Sequence, residues 1–417
     1  MIDFLLIFSI LILNVFYYRR IKSYASSVLF FSFLIVVNII IGEYEFSKAV
    51  INNYGALHLY VSLSALQYVR HETLLFLIFF VLSALLMSKK QKHLFTFKLI
   101  ISSKFMTSAS IPVSIFVLAC GIFGVGYHAI WIRVGYLPVS MPLLKNIANG
   151  LLLPSMFLLG ASSLGSRLRR VLKAALLLSV LLFEFSMASR ALALVLPAYI
   201  FGNYTSTSKY RWFVFYLLLS LALIPLFLWI VLNARSLPIQ GIYPFLMWIK
   251  HGAYTVDPAQ VWSFGALLRA QTYGYPLAAY VAKQGSFSVA DLLVSINPLP
   301  GFMAGWSTLW WKLRVNQFTP YNTWGELLCV LGPYFPLAGA IYGFYFGFVD
   351  SILYGARLKS SPLIIRGMIF GSVILGSIIF LEYNTRNSVR VMFYGAFFFF
   401  FVLLLKMFKI KKETKRI

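Results

Sequence analysis

Two arginines, Arg386 and Arg390, stand four residues apart in "EYNTRNSVRVMF" (382–393). On a helix that spacing puts both on one face. A guanidinium offers two parallel donors, so the pair suits a phosphate or pyrophosphate, or, more plainly, anionic headgroups that anchor the chain. Glu326 opens the apolar stretch "NTWGELLCVLGPYFPLAGAIYGF" (322–344). A carboxylate there serves as a general base at an apolar–water boundary, or as a first-turn charge favoured by the helix dipole. A second pair, Glu184 and Arg190, interrupts "LLLSVLLFEFSMASRALALVLPAYIFG" (176–202). Six residues carry a helix about 240° round, so the two cannot pair on one continuous helix. Arg190 reads as an anion contact, with a snorkelling side chain and a structural ion pair as the alternative. The other cations expected on the same side are Arg133, Lys145, Arg235, Lys250, Arg269, Lys283, Lys312 and Arg314.

Several chemistries have no residues to run them. The chain carries no Walker A lysine loop, Rossmann glycine fingerprint, HExxH or kinase set. It has no DxD-like pair to hold a metal-bound nucleotide sugar, and only 11 acidic residues in all. Two cysteines, Cys120 and Cys329, lie in apolar stretches and make neither a disulfide framework nor a metal cluster. His251 reads as structural. No cofactor and no metal are expected, and a substrate already activated on a lipid fits that constraint.

The elements that must position these residues are membrane helices. The 417 residues are 60% hydrophobic and 11% charged, with a mean hydropathy of +0.84. Apolar runs of spanning length recur throughout, without the short alternating segments of a β-barrel. The expected fold is all-α: a polytopic integral membrane protein, one domain over 1–417, with about 11 transmembrane helices. The spans are placed near 2–18, 25–41, 73–88, 109–126, 147–164, 174–188, 190–204, 212–233, 326–349, 363–382 and 391–407. The region 55–88 holds one span or two: within it "LHLYVSLSALQYV" reads as an interfacial helix or as a span of its own. The formal charge of +25 falls in short clusters between spans, as topogenic charge does, so nucleic acid is not an expected partner.

Arg19, Arg20 and Lys22, then "SKKQKHLFTFK" and "SRLRRVLK", then the tail "KMFKIKKETKRI" mark the cytoplasmic side. The N-terminus, lacking a basic leader region and a small-residue cleavage site, reads as a retained first span outside, and the C-terminus lies inside. A continuous helix over 174–201 would be roughly 42 Å long against a hydrocarbon core of about 30 Å. It would also carry the basic tail to the outer side. A helical hairpin turning at 186–189 keeps the tail inside and is the expected arrangement; a tilted single crossing is the alternative. The long stretch 234–325 is an outer loop rich in Trp and Tyr, expected to form amphipathic helices at the membrane surface. Within it Pro298, Pro300 and Gly301 of "INPLPGFMAGW" make a rigid turn. Gly332, Gly339 and Gly343 are expected to permit close helix packing.

In order and spacing, "SRALALVLPAYI" opening a span, "INPLPGF" late in the outer loop, "TWGELLCVLGPYFPLAGAIYGF" and "EYNTRNSVRVMF" before the last span resemble the Wzy-type repeat-unit polymerases of bacterial O-antigen and capsule assembly. The family often has Ser-Arg followed one residue later by Gly; here "SRA" stands at 189–191. The resemblance implies a metal-independent glycosyltransferase in the bacterial cytoplasmic (inner) membrane. It would join undecaprenyl-pyrophosphate-linked oligosaccharides on the outer side, with membrane lipid, a chain-length regulator and a flippase as partners. Glu326 and Arg190 are then the catalytic candidates. Arg386 and Arg390 would join Arg190 on the pyrophosphate, and Arg269 and Arg314 would bind the donor or glycan. A lipid-linked oligosaccharide flippase, an O-antigen ligase and a membrane O-acyltransferase are the alternatives.

Overall fold

The computed structural model of the full chain describes residues 2–21, 26–49, 61–90, 103–134, 140–162, 166–189, 191–207, 226–227, 230–231, 234, 239–251, 273–297, 299, 305–316, 319–354, 363–393 and 395–396. The helices are α1 (Ile2–Ile21), α2 (Ser27–Ala49), α3 (Leu63–Lys90), α4 (Ser103–Val125), α5 (Tyr127–Trp131), α6 (Pro142–Ala161), α7 (Arg167–Ser186) and α8 (Leu192–Thr207). They continue with α9 (Ile242–His251), α10 (Gly274–Gln284), α11 (Val289–Ile296), α12 (Trp306–Leu309), α13 (Thr323–Leu331), α14 (Phe335–Tyr354) and α15 (Leu363–Glu382). A last helix, α16, covers 385–393. Two short antiparallel ribbons complete the list: β1 (Arg133–Val134) with β2 (Ile239–Gln240), and β3 (Arg314–Asn316) with β4 (Thr319–Pro320).

Among the described residues, six helical stretches are long and apolar enough to cross a membrane: Ile2–Ile21, Ser27–Tyr44, Leu63–Ser88, Ser108–Val125, Pro142–Ala161 and Thr323–Ser351. The chain is an all-helical membrane protein. Its outward faces fit that solvent: Phe4, Phe8, Leu11 and Val15 form an exposed apolar stripe along α1. Most of the expected spans 212–233 and 391–407 lies outside the described residues. Residues 63–90 form one continuous helix, so the uncertain segment contributes the start of α3 from Leu63 onward.

The chain packs as two compact units. The first comprises Met1–Leu99, Leu268–Ser361 and Met368–Ile417; the second comprises Ile100–Leu267 and Pro362–Gly367.

In the first unit α14 runs parallel to α3 at backbone contact. A Cβ on Gly339, Gly343 or Gly347 would meet Phe76 O, Phe80 O or Ala84 Cα at 2.3, 2.0 or 2.7 Å. Lipid is as apolar as a leucine side chain, so such close packing replaces hydrophobic drive in holding spans together. Around this seam Phe31, Phe76, Phe80, Phe335, Phe346 and Phe380 are buried, with Phe76 and Phe335 stacked at 4.7 Å. Aromatic pairs of this kind add about 0.5–1.5 kcal/mol each. Gly343→Val is expected to lower the melting temperature of the detergent-solubilised protein, costing roughly 1–3 kcal/mol. Gly371→Ala, whose Cβ meets nothing within 4 Å, serves as the silent comparison.

The expected span 326–349 is two helices. Gly332 has φ +50° and breaks the run between α13 and a short 3-10 turn, Gly332–Tyr334. Gly339 sits beside Phe76, and in a straight helix Trp324 would lie about 22 Å further along. Instead Trp324 Nε1 donates to Thr73 Oγ1 at 2.7 Å, only about 4.5 Å along α3 from Phe76. The membrane-length rod is therefore α14, and α13 folds across its end. Gly332 is a hinge; Gly339 and Gly343 make the close contacts expected of them.

The other end of α14 is tied by Asp350, which is buried. Its carboxylate accepts from Tyr17 Oη at 3.1 Å, Ser27 N at 2.9 Å, Ser27 Oγ at 2.7 Å and Val28 N at 3.3 Å, and from the Ser26 hydroxyl. It caps the N-terminus of α2 from a different helix, where the helix dipole favours an anion. Both oxygens are satisfied. Asp350→Ala leaves these donors buried without an acceptor and is expected to cost about 3–5 kcal/mol, seen as a fall in thermal melting.

In the second unit three seams fix the directions. Gly124 packs on Lys145 and Ser114 Oγ reaches Ser155 O at 3.5 Å, so α4 and α6 are antiparallel. Gly160 and Gly202 each meet the partner backbone of α8 and α6, near Tyr199 and Phe157, and Leu152 shares a core with Val195, so α6 and α8 are parallel. Gly121 meets the Phe183 ring and Val117 packs with Val180, so α4 and α7 are parallel. It follows that α7 and α8 are antiparallel: the chain reverses after Ser186. Ala188 takes φ +48° there, a left-handed conformation uncommon outside glycine. Buried Arg133 braces the turn, donating to Ser186 O at 2.8 Å and to Gln240 Oε1 at 2.9 Å across the β1–β2 ribbon.

Candidate functional site

In the first unit two helix N-termini meet, and each begins with Tyr-Asn-Thr: 321–323 before α13 and 383–385 before α16. Asparagine is a strong N-cap because its side-chain oxygen takes an orphan backbone N–H. Asn322 Oδ1 accepts Gly325 N at 3.0 Å, and Asn384 Oδ1 accepts Asn387 N at 3.2 Å. The two caps are then stitched together. Asn322 Nδ2 donates to Gly274 O at 2.8 Å and Leu381 O at 2.9 Å. Thr323 donates its N–H and its hydroxyl to Tyr383 O at 2.7 and 2.8 Å.

Glu326 lies between them with 0% exposure. Its Oε2 accepts Thr385 N–H at 2.7 Å. The carboxylate thus faces the N-terminus of α16, the helix bearing Arg386 and Arg390, rather than serving only its own helix. A buried carboxylate is costly unless its lone pairs are used. Glu326 uses one oxygen: Oε1 has no hydrogen-bond partner. The Thr385 hydroxyl stands near the carboxylate without hydrogen-bond geometry. The Tyr342 hydroxyl, close enough to feel the Glu326 charge, also has no partner in that geometry. Asp350 and Glu326 therefore differ. Both cap a neighbouring helix; one is saturated and the other has acceptor capacity left.

Arg386 is 1% exposed, and its guanidinium grips the turn that follows α11. Nη1 donates to Val294 O at 2.8 Å and Asn297 O at 3.2 Å, and Nη2 to Leu299 O at 2.6 Å. Its Cζ lies 5.1 Å from the Trp306 ring centre. Arg386, expected as a pyrophosphate ligand, is thus committed to the start of "INPLPGF". A helix end leaves carbonyls without partners, and the planar fork reaches one in the last turn of α11 and two beyond it together. Half-buried Arg390, one turn on, donates to the same Leu299 oxygen at 2.9 Å, while its Nε makes no hydrogen bond. The shared helix face expected from the spacing is present.

Arg314 stands in the Trp-rich segment before β4. Its Cζ is 3.2 Å from the Trp310 ring centre and 5.2 Å from Trp311, a cation–π placement. The helix that precedes this segment, α11, has an outward apolar side. On α11 Val289, Leu293 and Ile296 are exposed while Ser295 is buried. Ser288 and Asp291 form a capping box at its start, and Lys312 Nζ reaches Asp291 Oδ2 at 3.0 Å. Burial alone would raise the Asp291 carboxyl; the hydrogen bonds from Ser288 and Lys312 outweigh it and hold it below the ordinary carboxylate value. Nearby, Arg70 bridges Asp3 at 2.7 Å and Glu43 at 2.6 Å, joining α1, α2 and α3. Tyr275 Oη reaches Glu43 at 3.1 Å.

Glu184 belongs to the second unit. It is 4% exposed on α7, with the Ser189 side chain beside it and an electrostatic attraction to Lys145; its own backbone oxygen accepts Ser189 N at 3.0 Å. Arg190 and Arg269 lie outside the described residues. The structure therefore brings together Glu326, Arg386 and Arg390, and places Arg314 in the same unit. Sequence reasoning missed Asn322, Asn384 and Thr385, although the repeated Tyr-Asn-Thr was a readable capping signal. It also missed Asp350 and the brace made by Arg133, whose partners are far away in sequence. No protein-family model, curated protein or solved structure matches the chain.

Proposed function

We propose that this protein is a metal-independent membrane glycosyltransferase that polymerises undecaprenyl-pyrophosphate-linked oligosaccharide repeat units into a surface polysaccharide. The observation that carries the reading is Glu326: a fully buried carboxylate with an unused oxygen, one residue's reach from an arginine-bearing helix. An acceptor hydroxyl needs a base, and the departing pyrophosphate needs cations. Glu326 takes the proton as the hydroxyl oxygen attacks the anomeric carbon. The carbon–oxygen bond to pyrophosphate breaks and the lipid pyrophosphate leaves as an anion. Arg390 meets that charge and Arg314 holds the donor or glycan; the other two expected cations, Arg190 and Arg269, lie outside the described residues. Arg386 acts one step back, as the residue that positions the turn at Asn297 and Leu299.

This reading places the protein in a bacterial cytoplasmic membrane with about 11 spans. The N-terminus is outside, the C-terminus is cytoplasmic and the loop 234–325 is on the outer surface. There the site meets lipid-linked substrate, with a flippase upstream and a chain-length regulator beside it. The test is a gel of surface polysaccharide from a strain with the gene deleted and then complemented. The expected result is a single capped repeat unit in the deletion and a full ladder on complementation. Loss of all surface glycan with lipid-linked units accumulating would assign the chain to flipping or ligation instead, and an unchanged ladder would exclude polymerisation.

A further inference from the structure

The second unit holds a cavity of about 210 Å³, lined by Gly121 and Val125 of α4, Lys145, Ala148 and Asn149 of α6, Phe183 and Glu184 of α7, and Met187 and Ser189 of the turn. Gly121 leaves room for the Phe183 ring, which a Cβ there would meet at 2.8 Å. Arg133 pins the turn through Ser186 O. Among the described residues, a carboxyl, an ammonium, an amide and a hydroxyl line this space. Glu184 and Lys145 attract each other, yet among the described residues they make no ion pair within 4 Å. Two opposite charges are held across a gap that neither closes.

We infer that this cavity is a binding site for one neutral, hydroxylated sugar ring. Among the described residues the lining favours a ligand that carries neither a lone positive nor a lone negative group. A free anion would face the Glu184 carboxylate and a free amine would face Lys145, so each meets a like charge. A polyol meets neither penalty: one hydroxyl donates to the carboxylate while its neighbour accepts from the ammonium. Asn149 and Ser189 supply one more donor–acceptor set each. The Phe183 ring and the Val125, Ala148 and Met187 side chains offer an apolar wall to the C–H face of the ring, the usual division of a small-molecule site into apolar walls and a few placed polar groups. The volume equals about seven waters at roughly 30 Å³ each, room for one ring and not for a chain. The inference concerns this unit alone and does not depend on polymerisation.

The experiment is saturation-transfer NMR on the full chain in lipid nanodiscs, with a panel of neutral hexoses and N-acetylhexosamines, and with glycine as a zwitterionic control. Glu184→Gln and Ala148→Leu are compared with the parent, each checked by thermal melting. The expected result is transfer to at least one sugar, none to glycine, and binding weakened at least about tenfold in both variants, since a hydrogen bond to a charged group is lost in one and the space is filled in the other. Absence of transfer to every sugar, transfer to glycine alone, or sugar binding unchanged in a folded Ala148→Leu protein would each overturn the assignment. A strain that fails the polysaccharide gel while its purified protein still binds sugar would separate this site from the polymerase reading.

Discussion

Glu326→Gln should reduce polymer formation by at least about 10²-fold while leaving the protein folded and at normal abundance. The amide is nearly isosteric and its oxygen can still accept Thr385 N–H, now made by Oε2 at 2.7 Å. The helix junction keeps its stitch. What is lost is the ability of the second oxygen, which has no partner, to take a proton. Removing a buried charge while preserving its hydrogen bond is often neutral for stability, so melting temperature and activity should part company. If Glu326 only caps α16, they move together: Glu326→Gln then makes full-length polymer at normal expression, and the base must be sought elsewhere. Glu326→Ala cannot make this distinction, because it also leaves the Thr385 N–H buried and unpaired.

Arg386→Lys should be as damaging to stability as Glu326→Gln is to activity. The guanidinium spans Val294, Asn297 and Leu299 carbonyls in one plane, and a point-like ammonium on a flexible stem cannot reach all three. About two part-buried carbonyls lose a charged donor, Leu299 O keeping the bond from Arg390, at roughly 1–3 kcal/mol each. The expected signature is a lowered melting temperature with new protease cleavage and faster hydrogen exchange around 294–299. Arg390→Lys gives the contrast. It loses one bond, to Leu299 O, so it should fold, and its deficit should appear in activity. A folded, inactive Arg386→Lys protein with unchanged exchange at the turn would instead make Arg386 a direct substrate contact.

The membrane helices were legible because apolar length is a local property. α1, α2, α4 and α6 fall on the expected stretches to within a few residues at most ends. The reversal after Ser186 followed from a charge count along the whole chain. The seams of Gly121, Gly124, Gly160 and Gly202 give the same direction from packing. The break at Gly332 was less visible, because "LLCVLGPYF" is as apolar as the span it interrupts; a positive φ and one short 3-10 turn separate α13 from α14. Glu326, Arg386 and Arg390 were readable as candidates, since charges beside apolar runs are few. Their partners were not. Arg386 is spent on carbonyls about ninety positions away, and Glu326 on a backbone N–H 59 positions away. Such pairings follow from how the helices stack, which residue type and spacing do not encode. The same holds for Asp350, whose donors sit more than 320 positions earlier.

The central claim is tested most directly by reconstitution. The purified chain, in lipid nanodiscs and with EDTA present, is given a defined undecaprenyl-pyrophosphate-linked repeat unit, and the products are separated by size. The account predicts a ladder of lipid-linked oligomers, release of undecaprenyl pyrophosphate in step with each linkage, and neither from the Glu326→Gln protein. Wild-type protein that leaves the lipid-linked unit unchanged, or a ladder of undiminished length from Glu326→Gln, would contradict it.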